Sequence, residues 1–309
     1  MEEQKIKDII KEIPQYKITK IANEISIRIT NVFTNLKAQQ DNLFKKLEEC
    51  QIKIVKFENE SITHYYLNGV IYLSNEMYIN SINEELIIEY LHFLQKDKKN
   101  TIFSETLNVL TAKILMQDLK ERMNKFEIFF MSLKEGKFAL LVNLIMQINF
   151  LVGDNEFIQT VINSKDDYYL LLNEISNGNI DRLIKDFTKL YNLEVEYDTT
   201  DDLYKVQEDI KFLYFSIQNY IMKFYFYYRI IHITEAEEVD KLRSQLDGLQ
   251  TLRGIIEEDK FYEEESKKII ERLDNKEKEF KKKNSKNSIS IVYNNKLIAF
   301  IKRILSFNH

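Results

Sequence analysis

The sequence predicts a mainly α-helical protein with one small antiparallel β-hairpin or sheet, an α+β class in which helices dominate. Three observations lead to this prediction. The 309 residues include only one proline and six glycines, so few positions can break a helix. Apolar residues recur at spacings of three and four over most of the length. One short stretch alternates instead and carries Asn68-Gly69, a strong hairpin signal.

The composition is that of a globular protein and argues against several classes of function. The chain is 44% hydrophobic and 30% charged, so it can bury a core and cover it with charge. The shortage of glycine argues against most all-β and collagenous folds and against the glycine-rich loops that bind nucleotide phosphates. A net charge of −5 gives no general case for nucleic-acid binding, so no nucleic-acid partner is expected.

Cysteine content and the N-terminal sequence point to a reducing compartment. Cys50 is the only cysteine, which excludes an internal disulfide and a paired-cysteine zinc site. The first ten residues, MEEQKIKDII, lack the apolar stretch of a secretory signal. The most apolar stretch, residues 138–152, is too short to span a membrane. We therefore expect a cytoplasmic protein.

Residues 1–50 are predicted to form N-terminal helices. Residues 1–13 suit a short helix that ends near Pro14, because proline removes a main-chain donor. A long helix should follow, because apolar residues at spacings of three, four or seven lay one stripe along residues 17–49: Ile18, Ile21, Ile25, Val32, Leu36, Leu43 and Leu47.

Residues 51–233 are predicted to form the hairpin and a helical core. The alternating stretch QIKIVKF (51–57) indicates a strand, and residues 61–67 and 70–74 indicate two more, joined by a type I′ turn. Asn83 should cap a helix that runs to about Lys96. Further helices are predicted at 102–117, 118–134, 138–152, 154–163, 166–176, 179–192 and 201–233, with Gly136, Gly153 and Gly178 at joints and an aromatic-rich central helix at 214–228.

The C-terminal quarter is predicted to form two further units. Residues 234–283 are dense in charge with sparse apolar positions, which suits a solvated helical hairpin or coiled-coil arm that bends at Gly248 or Gly254. Residues 284–309 indicate a basic linker and an amphipathic cationic helix. That helix docks on the body in one interpretation, and in another it contacts a membrane surface through residues 289–307.

One stretch of the predicted helix after the hairpin could carry chemistry. Residues 88–92 read Ile-Glu-Tyr-Leu-His, which is the HExxH zinc-peptidase pattern with its first histidine replaced by Ile88. In the intact pattern, the two histidines bind zinc from one helical face and the glutamate polarises the attacking water. Glu89 and His92 are therefore the candidate catalytic base and metal ligand. Isoleucine has no lone pair to offer a metal.

Together with its context, this stretch resembles clostridial zincin-like proteins of the gluzincin type. The strand NGVIYLS is followed by the helix INEELIIEYLHFLQ, and residues 103–115 and 141–164 resemble the family's next helices. The likeness covers about residues 51–165. It implies that Glu105 matches the third zinc ligand of the family. Only 12 residues separate His92 from Glu105, a shorter connection than such sites normally have.

Each candidate residue also has a purely structural interpretation. Glu89 could be a solvated acid on the helix surface, and His92 a hydrogen-bonded, partly buried histidine. Glu105 could be a first-turn acid near a cap at Thr101 or Ser104. His64 suits cross-strand packing, and it could also approach the site from the hairpin. Other catalytic motifs fare worse, because no phosphate-binding loop, serine elbow or cysteine-histidine pair is evident in the sequence.

The resemblance and the missing ligand together imply a catalytically degenerate metallopeptidase-like protein that acts as a binding module. The expected partner is a protein or peptide bound by strand addition along residues 51–57 or 70–74, with the charged arm as a second surface. No cofactor is expected. The first alternative is an active zinc peptidase in which a non-standard ligand such as His64 completes the site, and only this alternative requires zinc. The second alternative is a helical scaffold associated with a membrane surface.

Overall fold

The computed structural model bears out the predicted class, a mainly α-helical protein with a small sheet. It describes residues 6–95, 101–116, 139–153, 156–163, 172–173, 176, 178–197, 199–252 and 260–305, and it describes side chains for all of these except 77, 156 and 284–305. The predicted helix 118–134, Gly136, Gly254 and most of the predicted helix 166–176 lie outside these residues.

The described elements follow one another along the chain as four strands, a short 3₁₀ helix and eleven α-helices. The strands are β1 (Ile6–Glu12), β2 (Gln51–Phe57), β3 (His64–Leu67) and β4 (Val70–Leu73), and the 3₁₀ helix is Thr34–Gln39. The helices are α1 (Gln15–Val32), α2 (Gln40–Glu48), α3 (Met77–Asn80), α4 (Glu84–Leu94), α5 (Ile102–Leu115), α6 (Ala139–Val152), α7 (Glu156–Ile162), α8 (Ile180–Tyr197), α9 (Leu203–Ile231), α10 (Glu237–Leu252) and α11 (Lys260–Leu305).

The four strands form a mixed sheet in the order β1-β2-β4-β3. The predicted hairpin is confirmed, since β3 and β4 pair antiparallel around a turn in which Asn68 and Gly69 both have positive φ, 50° and 85°. The prediction of a purely antiparallel sheet is wrong, because β2 and β4 pair parallel. After β2 the chain crosses to the outer position, forms β3 there, and returns through the hairpin to place β4 beside β2.

The predicted N-terminal helix is wrong, because residues 6–12 form strand β1, which pairs antiparallel with β2. The spacing of Ile6, Ile9 and Ile10 suits a helix, but six of the seven side chains of β1 are exposed and build no buried helical face. Main-chain pairing with β2 therefore decides the conformation of this segment, and a tertiary contact overrides the local pattern. Two register shifts interrupt the pairing.

The predicted stripe along residues 17–49 is real, but the helix is not continuous. Helix α1 ends at Val32, because the next residue, Phe33, has non-helical φ and ψ of −107° and 81°, and the 3₁₀ helix and α2 follow. Phe33 is fully buried, so its side chain enters the core where the chain turns. The stripe residues Ile18, Ile21, Ile25, Leu36 and Leu47 are buried, and Val32 and Leu43 are half-buried.

Helices α4 to α9 contact one another and enclose the main core. Helices α4, α5 and α6 are buried along almost their whole length, which explains their lack of a clear polar face. The predicted joints at Gly153 and Gly178 have positive φ, as helix C-terminal caps do. The aromatic-rich part of α9 contributes Tyr214, Tyr225 and Phe226 to the core, as predicted.

The predicted C-terminal arm does consist of two helices in contact, since α10 packs on α11, but it is not surrounded by solvent as predicted. The four apolar side chains Val239, Leu242, Leu246 and Leu249 of α10 are buried, and α10 packs on α6 while α11 packs on α9. The chain does not bend at Gly248, which lies within α10. A Cβ at this position would lie 2.4 Å from Cζ of Phe150, so this glycine lets α10 approach α6 closely.

The predicted basic linker is also absent, because α11 continues without a break from Lys260 to Leu305. A helix that is already fixed on the body at one end extends more easily than it starts anew, and the linker sequence contains no proline or glycine to stop it. Among the described residues, no helix combines the length and apolarity needed to cross a membrane.

Candidate functional site

The four candidate residues lie together, on three different elements. Nδ1 of His64, at the start of β3, lies 2.5 Å from Oε1 of Glu89 in α4. Oε2 of the same glutamate lies 3.3 Å from Nδ1 of His92, also in α4. Nε2 of His92 lies 2.9 Å from Oε2 of Glu105 in α5. We call these four side chains the charged cluster.

Local sequence signals place two members of the cluster on one face of α4. Asn83 caps this helix as predicted, and its Oδ1 accepts a hydrogen bond from the main-chain N–H of Leu86 at 2.9 Å. Because residues three apart share a helical face, Glu89 and His92 both point toward the hairpin and α5.

Helix α5 begins with a capping box that brings Glu105 to the cluster. The hydroxyl of Thr101 accepts from the N–H of Ser104 at 3.1 Å, and the hydroxyl of Ser104 accepts from the N–H of Thr101 at 2.8 Å. Both residues suggested as caps therefore act together. Glu105 stands in the first turn, where an acid is favoured by the helix dipole, and its side chain reaches across to His92.

The burial of each side chain shows which of the structural interpretations holds. The side chain of Glu89 is only 4% exposed, so it is not a solvated surface acid. His92 is half-buried, as its structural interpretation has it, and it lies within ion-pair distance of Glu89 and Glu105. His64 was expected mainly to pack across the strands, but it bonds to Glu89 from the outer strand. Burial of the Glu89 carboxylate is tolerated because it contacts two partly buried imidazoles, which can carry the opposite charge.

The electrostatics of the cluster favour charged histidines. Burial alone would raise the pKa of Glu89, but the two imidazoles that contact its carboxylate outweigh it and lower the pKa to about 2. Burial alone would lower the pKa of His92, but its contacts with Glu105 and Glu89 raise it to about 10. The pKa of His64 is raised as well, because its bond to Glu89 outweighs burial. At neutral pH, Glu89 is thus an anion beside the imidazolium of His92, and its contact with His64 favours the charged form of that imidazole as well.

Cys50 lies at the junction of α2 and β2, near this charge, and it is not activated. Burial first and the charge of Glu89 second raise the pKa of the Cys50 thiol to about 12. The thiol is therefore neutral at physiological pH. Cys50 packs in the core as an apolar residue, which agrees with the absence of a cysteine-histidine motif in the sequence.

The cluster is enclosed by packed side chains that fix its geometry. The ring of Tyr66 on β3 meets the His92 ring edge-on, with centroids 6.3 Å apart. Nζ of Lys113 in α5 lies 3.0 Å from Oε1 of Glu84 in α4, a second ion pair between these helices. Ile88, at the position of the missing ligand, is buried in the apolar core.

The cluster is extended in a line and does not converge on a point. The two ring nitrogens of His92 face different carboxyl groups on opposite sides of the imidazole, and His64 and His92 face different oxygens of Glu89. Within the part of the chain that the structure describes, no group of three or more histidine, cysteine, aspartate or glutamate side chains is arranged to hold a metal ion. As arranged, the four side chains do not fit zinc, whose ligands must converge tetrahedrally.

The sheet order changes which strands can accept an additional strand. Both strands that the sequence suggested for strand addition, β2 and β4, are interior, since β1 and β4 flank β2, and β2 and β3 flank β4. Their main-chain groups already serve neighbouring strands, so that prediction is wrong. The outer strands of the described sheet are β1 and β3.

A second buried polar network was missed from the sequence. Tyr214 of α9 donates its hydroxyl to Oδ1 of Asn143 in α6 at 2.6 Å, and Gln147 donates to the same oxygen at 2.7 Å. Gln218 donates to Oε1 of Gln147 at 3.0 Å. We call these four side chains the amide ladder. The available signal was the pair of amides four residues apart in the most apolar helix, which place both on one face.

Comparison with protein families, with curated proteins and with solved structures finds no match for this chain. The zincin-like resemblance of residues 51–165 stays a prediction.

Proposed function

We propose that this protein is a binding module built on a degenerate zincin-like scaffold, and that it recognises an extended peptide segment of a partner protein along β3. The observation that carries the proposal is the position of β3. It is an outer strand of the sheet, and the charged cluster fixes it to α4 and α5 through His64. A rigid outer strand is the element that strand addition requires.

The chemistry of Glu89 supports binding over catalysis. A general base works best when its pKa lies near the working pH, and the pKa of Glu89 is lowered to about 2 by the two imidazoles, after they overcome burial. Its carboxylate is a weak base that already contacts two imidazoles. Ile88 adds no metal ligand. In this proposal, the residues of the former site hold the hairpin on the helices.

Hairpin geometry identifies the groups that a bound peptide would meet. The two-residue turn closes the hairpin at Leu67 and Val70, and antiparallel pairing then alternates between hydrogen-bonded and open pairs. The main-chain groups of His64 and Tyr66 therefore point away from β4. Strand β1, the other outer strand, suits this role less because two register shifts distort it, a device that protects sheet edges.

The test is selection of peptides from a random display library against the full-length protein, followed by affinity measurement on two matched variants. Tyr66→Ala removes the side chain and keeps the outward N–H, and Tyr66→Pro removes both. We expect enriched peptides to bind the proline variant at least tenfold more weakly than the alanine variant, with both variants folded by circular dichroism. Equal affinity for the two variants, or no enriched peptide, would contradict strand addition on β3.

The active-peptidase alternative has one observation in its favour, the contact of His92 with Glu105, the two residues that the resemblance aligns with zinc ligands. Zinc content of untagged protein purified without added metal, compared with His92→Ala, tests it together with a peptide-cleavage assay. The binding-module proposal expects no zinc that depends on His92 and no cleavage. Chelator-sensitive cleavage that Glu89→Gln abolishes would replace it with the peptidase.

A further inference from the structure

The end of α11 differs in charge from the rest of the protein. From residue 281 to residue 305 the sequence contains seven lysines and arginines and no acidic residue. The remainder of the chain has 37 lysines and arginines against 49 acids, a net charge of −12. A cationic segment is therefore joined to an acidic body, and an anionic surface would attract the one and repel the other.

The same segment carries an apolar pattern at helical spacing. Isoleucines, a leucine and a tyrosine recur three or four residues apart along one stripe: Ile289, Tyr293, Leu297, Ile301 and Ile304. Lys296, Lys302 and Arg303 fall outside this stripe at about 100° per residue. Ile291, Val292 and Ile298 also fall outside the stripe. A helix whose main apolar stripe has cations beside it has the composition of an interfacial helix.

The structure adds the backbone conformation of this segment and the way in which it is attached to the rest of the protein. The backbone is helical without interruption to Leu305, where the sequence suggested a linker. Nearer its start the same helix is fixed to the body by Tyr262, Ile269 and Leu273, which are buried. The cationic segment is therefore joined to the body through continuous helix, and it need not fold upon binding, which lowers the entropic cost of association.

We infer that residues 281–305 of α11 bind an anionic lipid surface as an interfacial helix, lying in the headgroup region without spanning it. The cations meet lipid phosphates, and the apolar stripe enters the acyl boundary. Nucleic acid would also attract the cations, but it gives the apolar stripe no role. The acidic body is repelled from the same surface, so contact is confined to this end of the molecule.

The test uses the full-length protein and vesicle flotation, with phosphatidylcholine vesicles that contain or lack phosphatidylglycerol. We expect binding only to the anionic vesicles, weakening as salt is added. The double variant Leu297→Asp with Ile301→Asp breaks the stripe, and Ser288→Asp with Asn295→Asp makes the same charge change off the stripe. The stripe variant should lose at least tenfold in affinity and clearly more than its control.

Three results would overturn the inference. The first is equal binding to neutral and anionic vesicles, and the second is an equal loss of affinity in the two double variants. The third is tight binding of a single-stranded oligonucleotide by both the unmodified protein and the stripe variant, with no binding to vesicles. Peptide affinity at β3 should be unchanged in both double variants, so this result is independent of the proposed binding function.

Discussion

The charged cluster and the amide ladder are both polar networks between secondary-structure elements in the interior of the protein. They differ in whether their side chains carry charges that depend on pH. Every bond of the ladder joins an amide to another amide or to a phenol, so the ladder contains no carboxylate or imidazole. In the cluster, the anion of Glu89 is held by two histidines whose charge depends on pH. The ladder therefore joins α6 to α9 without a carboxylate or imidazole, and the cluster fixes the hairpin only while its charges persist.

The cluster should also respond more strongly to the loss of one member. A buried charge without its partner costs more than an unsatisfied amide, because the desolvation of a charge is larger. The following predictions use this difference, and they run from the largest expected effect to the smallest.

Glu89→Gln should be the most damaging single change in either network. The amide keeps the shape of the side chain but removes the anion that the imidazoles of His64 and His92 contact, which by analogy with broken buried ion pairs costs about 3–5 kcal/mol. Urea denaturation at pH 6 measures this loss. The control, Glu85→Gln, removes a partly exposed acid from the first turn of the same helix and should cost below about 1 kcal/mol. Similar losses in both variants would show that the cluster carries no special energy.

The free energy of unfolding should depend on pH through the cluster. The pKa of His92 is raised from 6.5 to about 10 in the folded state, since contacts with Glu105 and Glu89 outweigh burial, so the folded protein holds a proton that the unfolded chain releases. Stability should therefore fall as pH rises above 6.5, with a slope of at most about 1.4 kcal/mol per pH unit for this group. The pKa of Glu89 is lowered from 4.5, so its contribution is lost as pH falls below 4.5.

Urea denaturation from pH 4 to pH 9 measures the loss of stability on both the acid and the alkaline side. The free energy of unfolding should be highest and nearly constant between pH 4.5 and pH 6.5. His92→Gln is the control, because glutamine does not titrate. Its stability should be lower at pH 6 and flatter above 6.5. If the fall above pH 6.5 persists unchanged in this variant, another group causes it and the charge assigned to His92 is wrong.

Gln147→Met should cost about 1–3 kcal/mol, because it leaves the donor of Gln218 without its acceptor in a buried site. In contrast to the cluster variants, the loss should be the same at pH 5 and pH 8. The double variant Gln147→Met with Gln218→Met removes both partners and should recover part of the loss. The distinction between the networks would be wrong if the loss of stability changed with pH, or if the loss in the double variant equalled the sum of the losses in the two single variants.

The sequence predicted most helices and the hairpin, because each depends on local signals: the spacing of apolar residues, the Asn83 cap and the Asn68-Gly69 turn. It failed for β1, whose conformation depends on pairing with β2 some forty residues later in the chain. Of the two glycines suggested as a bend, Gly254 lies outside the described residues, and Gly248 is not a bend, because the reason for glycine there is a side chain on another helix. Contacts between distant segments leave little trace in a local pattern.

The candidate site shows the same division. The HExxH-like spacing identified Glu89 and His92, and the family resemblance added Glu105, because charged residues in apolar surroundings are conspicuous in a sequence. That His64 bonds to Glu89 could not be deduced, since it depends on how the hairpin lies on α4. The amide ladder was overlooked because Asn143 and Gln147 served only as interruptions of an apolar stretch.

Asn83→Ala should have the smallest effect, and it separates the helix end from the cluster. Losing this cap should cost about 1 kcal/mol, because the N–H of Leu86 loses its acceptor. Asp202→Ala, which removes the equivalent cap of α9, should cost a similar amount far from the cluster. Glu89 lies more than one turn inside α4 and is held by His64 and His92. The fall in the free energy of unfolding above pH 6.5 should therefore be centred at the same pH in both variants as in the unmodified protein. If only Asn83→Ala shifted the pH at which this fall is centred, the cap, and not the packing of the hairpin on α4 and α5, would fix the charges of the cluster.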